Sequence, residues 1–246
     1  MKLSDQVYMV GSGKFGLQLS HSMDCNVYLV DGGHDQYALI DAGGGMDPEQ
    51  IIQNIEQEGV RPDQIKYLLL THAHGDHAAG SAFFSNQYGI EVIASKEIQP
   101  WVESGDQEKS SLAPAKKAGI YPEDFQFPRC KVSKGVVEND TIHLGNMELK
   151  VLETPGHSQG HISFLLEQNG KKMLFSGDAL FAGGKIVLQN IWDCSIQDYA
   201  RTLSKLGLLR IDTLFPGHGV CLMKEAWKHV DIACGYFERL EVPPNL

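Results

Sequence analysis

The sequence predicts an α/β fold in which two β-sheets pack together and carry helices on their outer faces. Three observations lead there. Strand-length apolar runs alternate with amphipathic helical stretches in the first half; hairpin signals precede a helix and a last strand in the second half; and the order of element types in the second half echoes the first. The side chains with the most chemistry also follow strand ends, where α/β folds place their sites.

Taken in order, residues 6–10 and 25–30 read as strands, and residues 36–40 follow as a third after the turn signal Asp31-Gly32-Gly33. This opening is antiparallel. The third strand runs into Asp41-Ala42-Gly43-Gly44-Gly45, where glycine lets the backbone turn sharply or approach something bound. Asp41 is a helix cap, a partner for a ligand or a turn residue. Asp47-Pro48-Glu49 starts a helix, with a capping residue and a first-turn proline, and Ile51, Ile52 and Ile55 form its apolar face before it ends near Gly59. Pro62-Asp63-Gln64 precedes the central strand, which Ile65, Tyr67, Leu68, Leu69 and Leu70 define. Residues 81–88 predict a helix and 91–94 a short strand, a second strand-helix-strand passage.

Residues 100–130 carry four prolines (Pro100, Pro114, Pro122, Pro128) and little periodicity beyond a helix at 112–118, the profile of a surface excursion that covers a site as a lid. Strand patterns return from Val136, at 141–144, at 148–152 after Gly145-Asn146, at 162–167, and at 173–175 after Asn169-Gly170. A helix at 195–206 shows Ile196, Tyr199, Leu203 and Leu206 at helical spacing with Gly207 as its stop. A last strand at 213–215 and a helix at 225–240 complete the pattern.

With 246 residues and 42% hydrophobic content, the chain can bury one substantial core, and a single domain over 1–246 is the expectation. The 31 acidic against 21 basic side chains give a formal charge of −10 without any long basic run, which disfavours nucleic acid and anionic membranes as partners. No apolar stretch approaches spanning length, so neither export nor insertion is indicated. The five cysteines (Cys25, Cys130, Cys194, Cys221, Cys234) are scattered and form no C-x-x-C pair, the usage of reduced thiols in a cytoplasmic protein.

The stretch LLLTHAHGDHAAG, Leu68 to Gly80, is the centre of the chemistry. An apolar strand ends there in His72, His74, Asp76 and His77 within six residues. Neutral imidazole and carboxylate are good ligands for divalent transition ions; His72 and His74 can aim two rings at one point, and Asp76 and His77 can serve a second. Three more strands end in glycine and one metal-competent residue: TPGH at His157, SGD at Asp178 and PGH at His218. Together they supply five histidines and two aspartates, enough for two ions sharing one carboxylate. His161, four residues after His157, orients it or packs at the strand start. His21, His34, His143 and His229 lack the strand-end pattern and read as surface residues, and GSGKFG reads as a turn because no helix with Lys-Ser/Thr follows.

THAHGDH followed in this order by TPGH, SGD and PGHG resembles the metallo-β-lactamase superfamily, from about residue 7 to about residue 220. The resemblance implies a four-layer αββα sandwich of two mixed β-sheets, with the metals at one edge. It also implies two divalent metal ions, zinc first, with iron or manganese as alternatives. By the same resemblance His72, His74 and His157 would hold the first ion, Asp76, His77 and His218 the second, and Asp178 would bridge them. TPGHSQGHISF and FSGDALFAGG are most similar to the glyoxalase II-like branch. Two departures stand against glyoxalase II itself: no cysteine- and glycine-containing loop follows the bridging aspartate, and only 28 residues follow His218 where a glutathione-gripping helical domain is expected.

The implied activity is binuclear metal-dependent hydrolysis of a small-molecule thioester, lactone, ester or lactam, with a hydroxide shared by the two metals as nucleophile and Asp76 and Asp178 as the catalytic carboxylates. The alternatives are an iron-dependent oxidoreductase of the same fold, of sulfur dioxygenase or diiron type, and a phosphodiesterase or nuclease. The segment after Asp178 is apolar and aromatic, and Phe181, Lys185 and Trp192 are its candidate substrate-binding residues, while Leu188 and Ile191 fit core packing.

Overall fold

Successive residues of a strand face opposite sides of its sheet, and here both sides are apolar, so each sheet has to be covered twice. The computed structural model, which covers residues 1–246, meets that demand with two stacked sheets and a helical layer outside each. The first sheet runs in chain order: β1 (Val7–Gly11), β2 (Val27–Asp31), β3 (Tyr37–Ile40), β4 (Ile65–Leu69), β5 (Glu91–Ser95) and β6 (Lys134–Val136). Its first three strands are antiparallel and the rest parallel. Parallel neighbours need crossovers. These are α1 (Pro48–Gln57) before β4, α2 (Gly75–Ala78) and α3 (Ser81–Tyr88) before β5, and α4 (Gln99–Ser104) and α5 (Leu112–Lys117) before β6.

The second sheet comprises β7 (Thr141–Leu144), β8 (Met147–Glu153), β9 (Ile162–Gln168), β10 (Lys171–Gly177) and β11 (Thr213–Pro216), in the order β11-β10-β9-β8-β7. Only β10 and β11 pair in parallel, across α6 (Ile196–Gly207), and α7 (Trp227–Glu238) follows. Both sheets are therefore mixed, as expected. Three apolar layers hold them. Val27 and Leu29 of β2 face Ile51, Ile52 and Ile55 of α1, whereas Tyr28 and Val30 face the second sheet. Leu174 of β10 packs outward on Tyr199, Leu203 and Leu206 of α6, whereas Phe175 points inward. Phe175 stacks on Phe215 at 4.9 Å between ring centroids, and truncating either to alanine is expected to cost about 3–5 kcal/mol.

Cross-sheet hydrogen bonds fix the edge at which β4, β8, β10 and β11 end. The Tyr28 hydroxyl donates to Pro216 O at 2.6 Å, and the Ile162 N–H donates to Thr71 O at 2.8 Å. At the opposite edge two hairpin turns meet, with the Asn146 N–H on Gly32 O at 2.7 Å.

Some elements escape the sequence pattern, α2 among them, because its four residues are too few to show a helical period. Within residues 100–130, α4 has Pro100 in its first turn, where the missing N–H costs nothing, but six residues are too few to show a helical period. The short edge strand β6 begins two residues before Val136. The excursion is also more than surface: Val102, Leu112, Phe125, Phe127 and Cys130 all enter the first apolar layer. Helix α6 begins as expected, with Ser195 as its cap accepting the Asp198 N–H at 3.3 Å.

Candidate metal centre

Strand β4 delivers the first group. Beyond Leu69 the chain runs through Leu70 and Thr71 to His72, and α2 then carries Asp76 and His77 with His74 as its N-terminal flank. The second sheet supplies the rest: His157 follows β8, Asp178 follows β10, and His218 follows β11. All seven residues converge on one edge of the sandwich.

The convergence is at the level of atoms. His72, His74 and His157 each offer a ring nitrogen, and the three lie within 4.8 Å of one another; so do the offered atoms of Asp76, His77 and His218, and those of His72, His77 and Asp178. Asp178 stands between the two trios. Its Oδ1 is 3.4 Å from His77 Nε2, and its Oδ2 is 3.5 Å from both His157 Nε2 and His218 Nε2.

Hydrogen bonds outside this ring determine which nitrogen faces inward. The Thr71 hydroxyl donates to Asp41, so His72 Nδ1–H donates to Thr71 Oγ1 at 3.0 Å and Nε2 keeps its lone pair. His77 Nδ1–H donates to Asp41 Oδ2 at 2.8 Å, His74 Nε2–H to Asp193 Oδ2 at 3.1 Å, and His157 Nδ1–H to Val187 O at 3.0 Å. Three imidazoles, those of His72, His74 and His157, thus have their tautomers fixed with lone pairs aimed at the centre, and His77 is turned so that its Nε2 faces it. The sequence left Asp41 open among three roles, and here it orients His77. His161 does not orient His157: its Nε2 accepts the Asp178 N–H at 3.1 Å and its Nδ1 faces Thr154 Oγ1 at 2.8 Å, so it holds the Asp178 backbone.

Close approach of backbone completes the ring. A β-carbon on Gly217 would stand 2.2 Å from Asp178 Oδ1, and one on Gly177 would stand 2.7 Å from His161 Nε2 at a φ of 48°. Glycine before Asp178 and His218 is therefore a steric requirement.

Charge follows from burial and proximity. Burial, with the neighbouring histidines, holds His72 well below the usual histidine range, and burial brings His157 down to about 4. Both rings stay neutral at pH 7 and able to ligate. For His77 burial alone would act downward, but Cys25, Asp178, Asp76 and Asp41 outweigh it and raise the pKa well above the ordinary value. Burial would raise Asp178, yet His218, His77 and His157 hold it well below the carboxylate range. Asp76 is lowered in the same way, against burial, by His77 and His218. His218 is likewise raised, against burial, by Asp178 and Asp76, so the centre sets imidazolium against carboxylate, and a bound cation would displace those protons.

The model of the metallo-beta-lactamase superfamily matches residues 23–218, a span that includes all seven groups. The chain belongs to this superfamily. Among curated proteins it is 27% identical to a hydroxyacylglutathione hydrolase of Chelativorans sp. over 89% of this chain and 67% of that one. It is 31% identical to the hydroxyacylglutathione hydrolase GloC of Haemophilus influenzae over 65% of this chain and 68% of the relative. The chain spans about two thirds of the length of each. Among solved structures, a subclass B3 metallo-beta-lactamase of Bradyrhizobium japonicum superposes with a TM-score of 0.74 at 25% identity, covering 98% of this chain and 91% of the other. A metallo-beta-lactamase family protein of Thermus thermophilus gives 0.73 at 22%, covering 97% and 81%, a likeness of fold alone. The αββα sandwich expected from the motifs is the fold of these metallo-beta-lactamases.

In this member of the superfamily a cavity of about 460 Å³ opens onto His74, Asp76, His157, Asp178 and His218. Its walls come from Ser110, Ser111, Pro114, Ala115, Ala118, Ile120 and Tyr121, from Val187 and residues 189–191, and from Phe15 and Leu246; Lys116 and Lys117 belong to the same segment but do not line the cavity. The three residues predicted to bind substrate lie elsewhere. Phe181 is fully buried and backs the His218 ring at 6.4 Å, because the tight pairing of its N–H with Lys185 O turns it inward. Lys185, on the other side of that turn, does not reach the cavity. Trp192 is 46% exposed and clamps loops together, its ring 5.7 Å from that of Trp101 and its Nε1–H on Glu108 O at 3.1 Å. Ile191, expected in the core, lines the cavity instead, while Leu188 packs on the outer apolar layer.

Sequence reasoning missed Tyr121, Asp193 and Ser111. Tyr121 donates its hydroxyl proton to Asp76 Oδ1 at 2.6 Å, and burial, aided by the Asp76 charge, keeps that phenol protonated. Asp193 is lowered to about 2, against burial, by His74, Ser111 and Ser158. A lone charge at the end of the apolar segment after Asp178 was the one sequence signal for it.

Proposed function

We propose that the chain is a binuclear metal-dependent hydrolase of neutral carbonyl compounds. The observation that carries this reading is at the centre: His72 Nε2 and Asp178 Oδ1 are buried without a hydrogen-bond partner, and their residues form with His77 a trio whose offered ligand atoms lie within 4.8 Å of one another. A buried acceptor left bare costs about 1–3 kcal/mol, and two of them facing one point are the expected preparation for a cation. The donor set fits that group. His72, His74 and His157 would hold one ion, Asp76, His77 and His218 the other, and Asp178 would serve both. Nitrogen and oxygen donors without thiolate suit zinc, iron or manganese, and the nearby Cys25 thiol is pushed by burial up to about 12.

Bound at these positions, the two ions would polarise a carbonyl oxygen and lower the pKa of water. The chain's own residues do the rest. Asp76 stays ionised at the cavity floor, oriented by Tyr121 through Oδ1 and facing His218 Nε2 at 3.1 Å through Oδ2, so it can accept a proton from an attacking water. Asp178, set between the trios, fixes their spacing. The apolar walls of Pro114, Ala115, Ala118, Ile120 and Ile191 limit water beside the reacting carbon and suit an apolar acyl group.

A lining without lysine or arginine disfavours anionic substrates. Esters, thioesters and lactones with an apolar acyl part should therefore outrank phosphodiesters and S-lactoylglutathione, whose glutathione carries two carboxylates. The names of the two curated relatives favour a second reading, hydrolysis of a glutathione thioester. A steady-state panel across these classes, run alongside elemental analysis of protein purified without added zinc, separates the two. A kcat/KM for the glutathione thioester tenfold above every neutral ester and lactone, about 1.4 kcal/mol of transition-state preference, would reverse that ranking.

A further inference from the structure

The segment 110–121, which carries α5, walls the cavity and touches both halves of the metal centre. At its start, Ser111 Oγ donates to Asp193 Oδ1 at 2.7 Å, and Asp193 Oδ2 accepts from His74 Nε2–H at 3.1 Å. At its end, the Tyr121 hydroxyl donates to Asp76 Oδ1 at 2.6 Å and accepts the Asp76 N–H at 3.2 Å. His74 belongs to one trio and Asp76 to the other. The two ends of one wall are thus tied to different halves of the centre.

Between these ends the segment has little hold of its own. Leu112 is the one buried side chain of α5, and residues 118–120 are exposed. The ends, by contrast, are well fixed. Ser111 is buried in the left-handed region at φ 54°, a conformation held by its surroundings rather than favoured by serine. Asp193, 4% exposed, also accepts from Ser158 Oγ at 2.8 Å. The Tyr121 ring packs 4.5 Å from that of the fully buried Phe125.

The chemistry at each tie bears on ligation. Asp193 can fix the His74 tautomer only while its carboxylate is held in place, and Ser111 is one of its holders. Donation by Tyr121 to Oδ1 leaves Oδ2 of Asp76 as the oxygen facing His218. We propose that Ser111 and Tyr121 are positioning residues that latch segment 110–121 to the two halves of the metal centre, so that metal occupancy and closure of this cavity wall reinforce one another. The latch rests on the two-metal reading above. Thermodynamic reciprocity then requires that what strengthens one strengthens the other.

The test uses zinc chloride and the whole chain. Hydrogen exchange of amides 112–121 is compared before and after two equivalents of zinc, and zinc affinities are measured by competition with a chromophoric chelator. Zinc should slow exchange across the segment at least tenfold in the parent. Tyr121→Phe, which keeps the ring, should weaken one zinc about tenfold and reduce that protection below threefold. Ser111→Ala should weaken the other zinc, so that the double variant loses both. Two tightly bound zinc ions whose affinities stay within twofold in Tyr121→Phe would overturn the latch while leaving the metal centre standing. A parent segment whose exchange does not respond to zinc would overturn it without any variant. A parent chain that holds neither zinc nor, in the same titration, iron(II) or manganese(II) would overturn the metal centre itself.

Discussion

Asp41 holds His77 from behind, its Oδ2 2.8 Å from Nδ1, while its Oδ1 takes the Thr71 N–H at 2.7 Å. One buried carboxylate thus orients a ring of the second trio and, through Thr71, a ring of the first. Asp41 lies at φ 62°, a region that asparagine also tolerates, so Asp41→Asn removes charge without forcing the backbone. Zinc affinity at the second position should fall about 10–100-fold in that variant, the usual loss when an outer partner of a ligating histidine is removed. Competition titration measures it, and an unchanged affinity would remove Asp41 from the orienting role.

Asp178→Ala should cost both ions. Its two oxygens face His77 on one side and His157 and His218 on the other, so no single site is spared. Elemental analysis of the purified variant is expected to give well under one metal per chain. Retention of two would show that Asp178 is not shared.

Gly217→Ala should disable the centre without replacing any candidate ligand. Its β-carbon would meet Asp178 Oδ1 at 2.2 Å and His77 Cε1 at 2.6 Å, neither of which can retreat into the packed core. Overpacking of this kind costs about 1–3 kcal/mol of stability, and a lowered midpoint in denaturant should accompany the loss of metal. A variant with parental metal content and midpoint would contradict the close approach.

Metal-free protein should be most stable near pH 6.5. His72, His157 and His161 have lowered folded-state values, so below 6.5 the unfolded chain binds protons that the folded one refuses. Stability is then lost as pH falls from 6.5 toward 4, by roughly 3 kcal/mol for His157 alone, whose value is about 4. His77 and His218, held high, act in the other window: their contribution is complete below 6.5 and is lost as pH rises. Urea midpoints across pH 4–9 should form a peak. A monotonic rise with pH would sink this assignment of charge.

Much of this was legible in the residues. His72 to His77 announced themselves because metal ligation demands rare side chains at close spacing after a strand, and Asp178 and His218 because steric crowding demands the glycine before each. Strand-length apolar runs between helical patterns, and the isoleucines of α1, gave away the layers. What escaped was set by tertiary contact. Tyr121 reaches Asp76 across 45 positions and Ser111 reaches Asp193 across 82, and nothing in the local sequence of either residue records its partner. Phe181 and Trp192 misled for a related reason: an aromatic near a ligand can line a site, back a ligand or pin a loop, and composition does not distinguish these.

The meeting of the Gly32 and Asn146 turns at the far edge gives the molecule a chemically idle pole. Every candidate ligand leaves a strand in the opposite direction, so that pole can carry foreign attachments. The Asn169-Gly170 hairpin lies at the same end, and a β-carbon at Gly170 would meet nothing within 4 Å. A surface tether or fluorescent label grafted there would leave the mouth of the cavity facing solution, with every immobilised molecule presenting the same side.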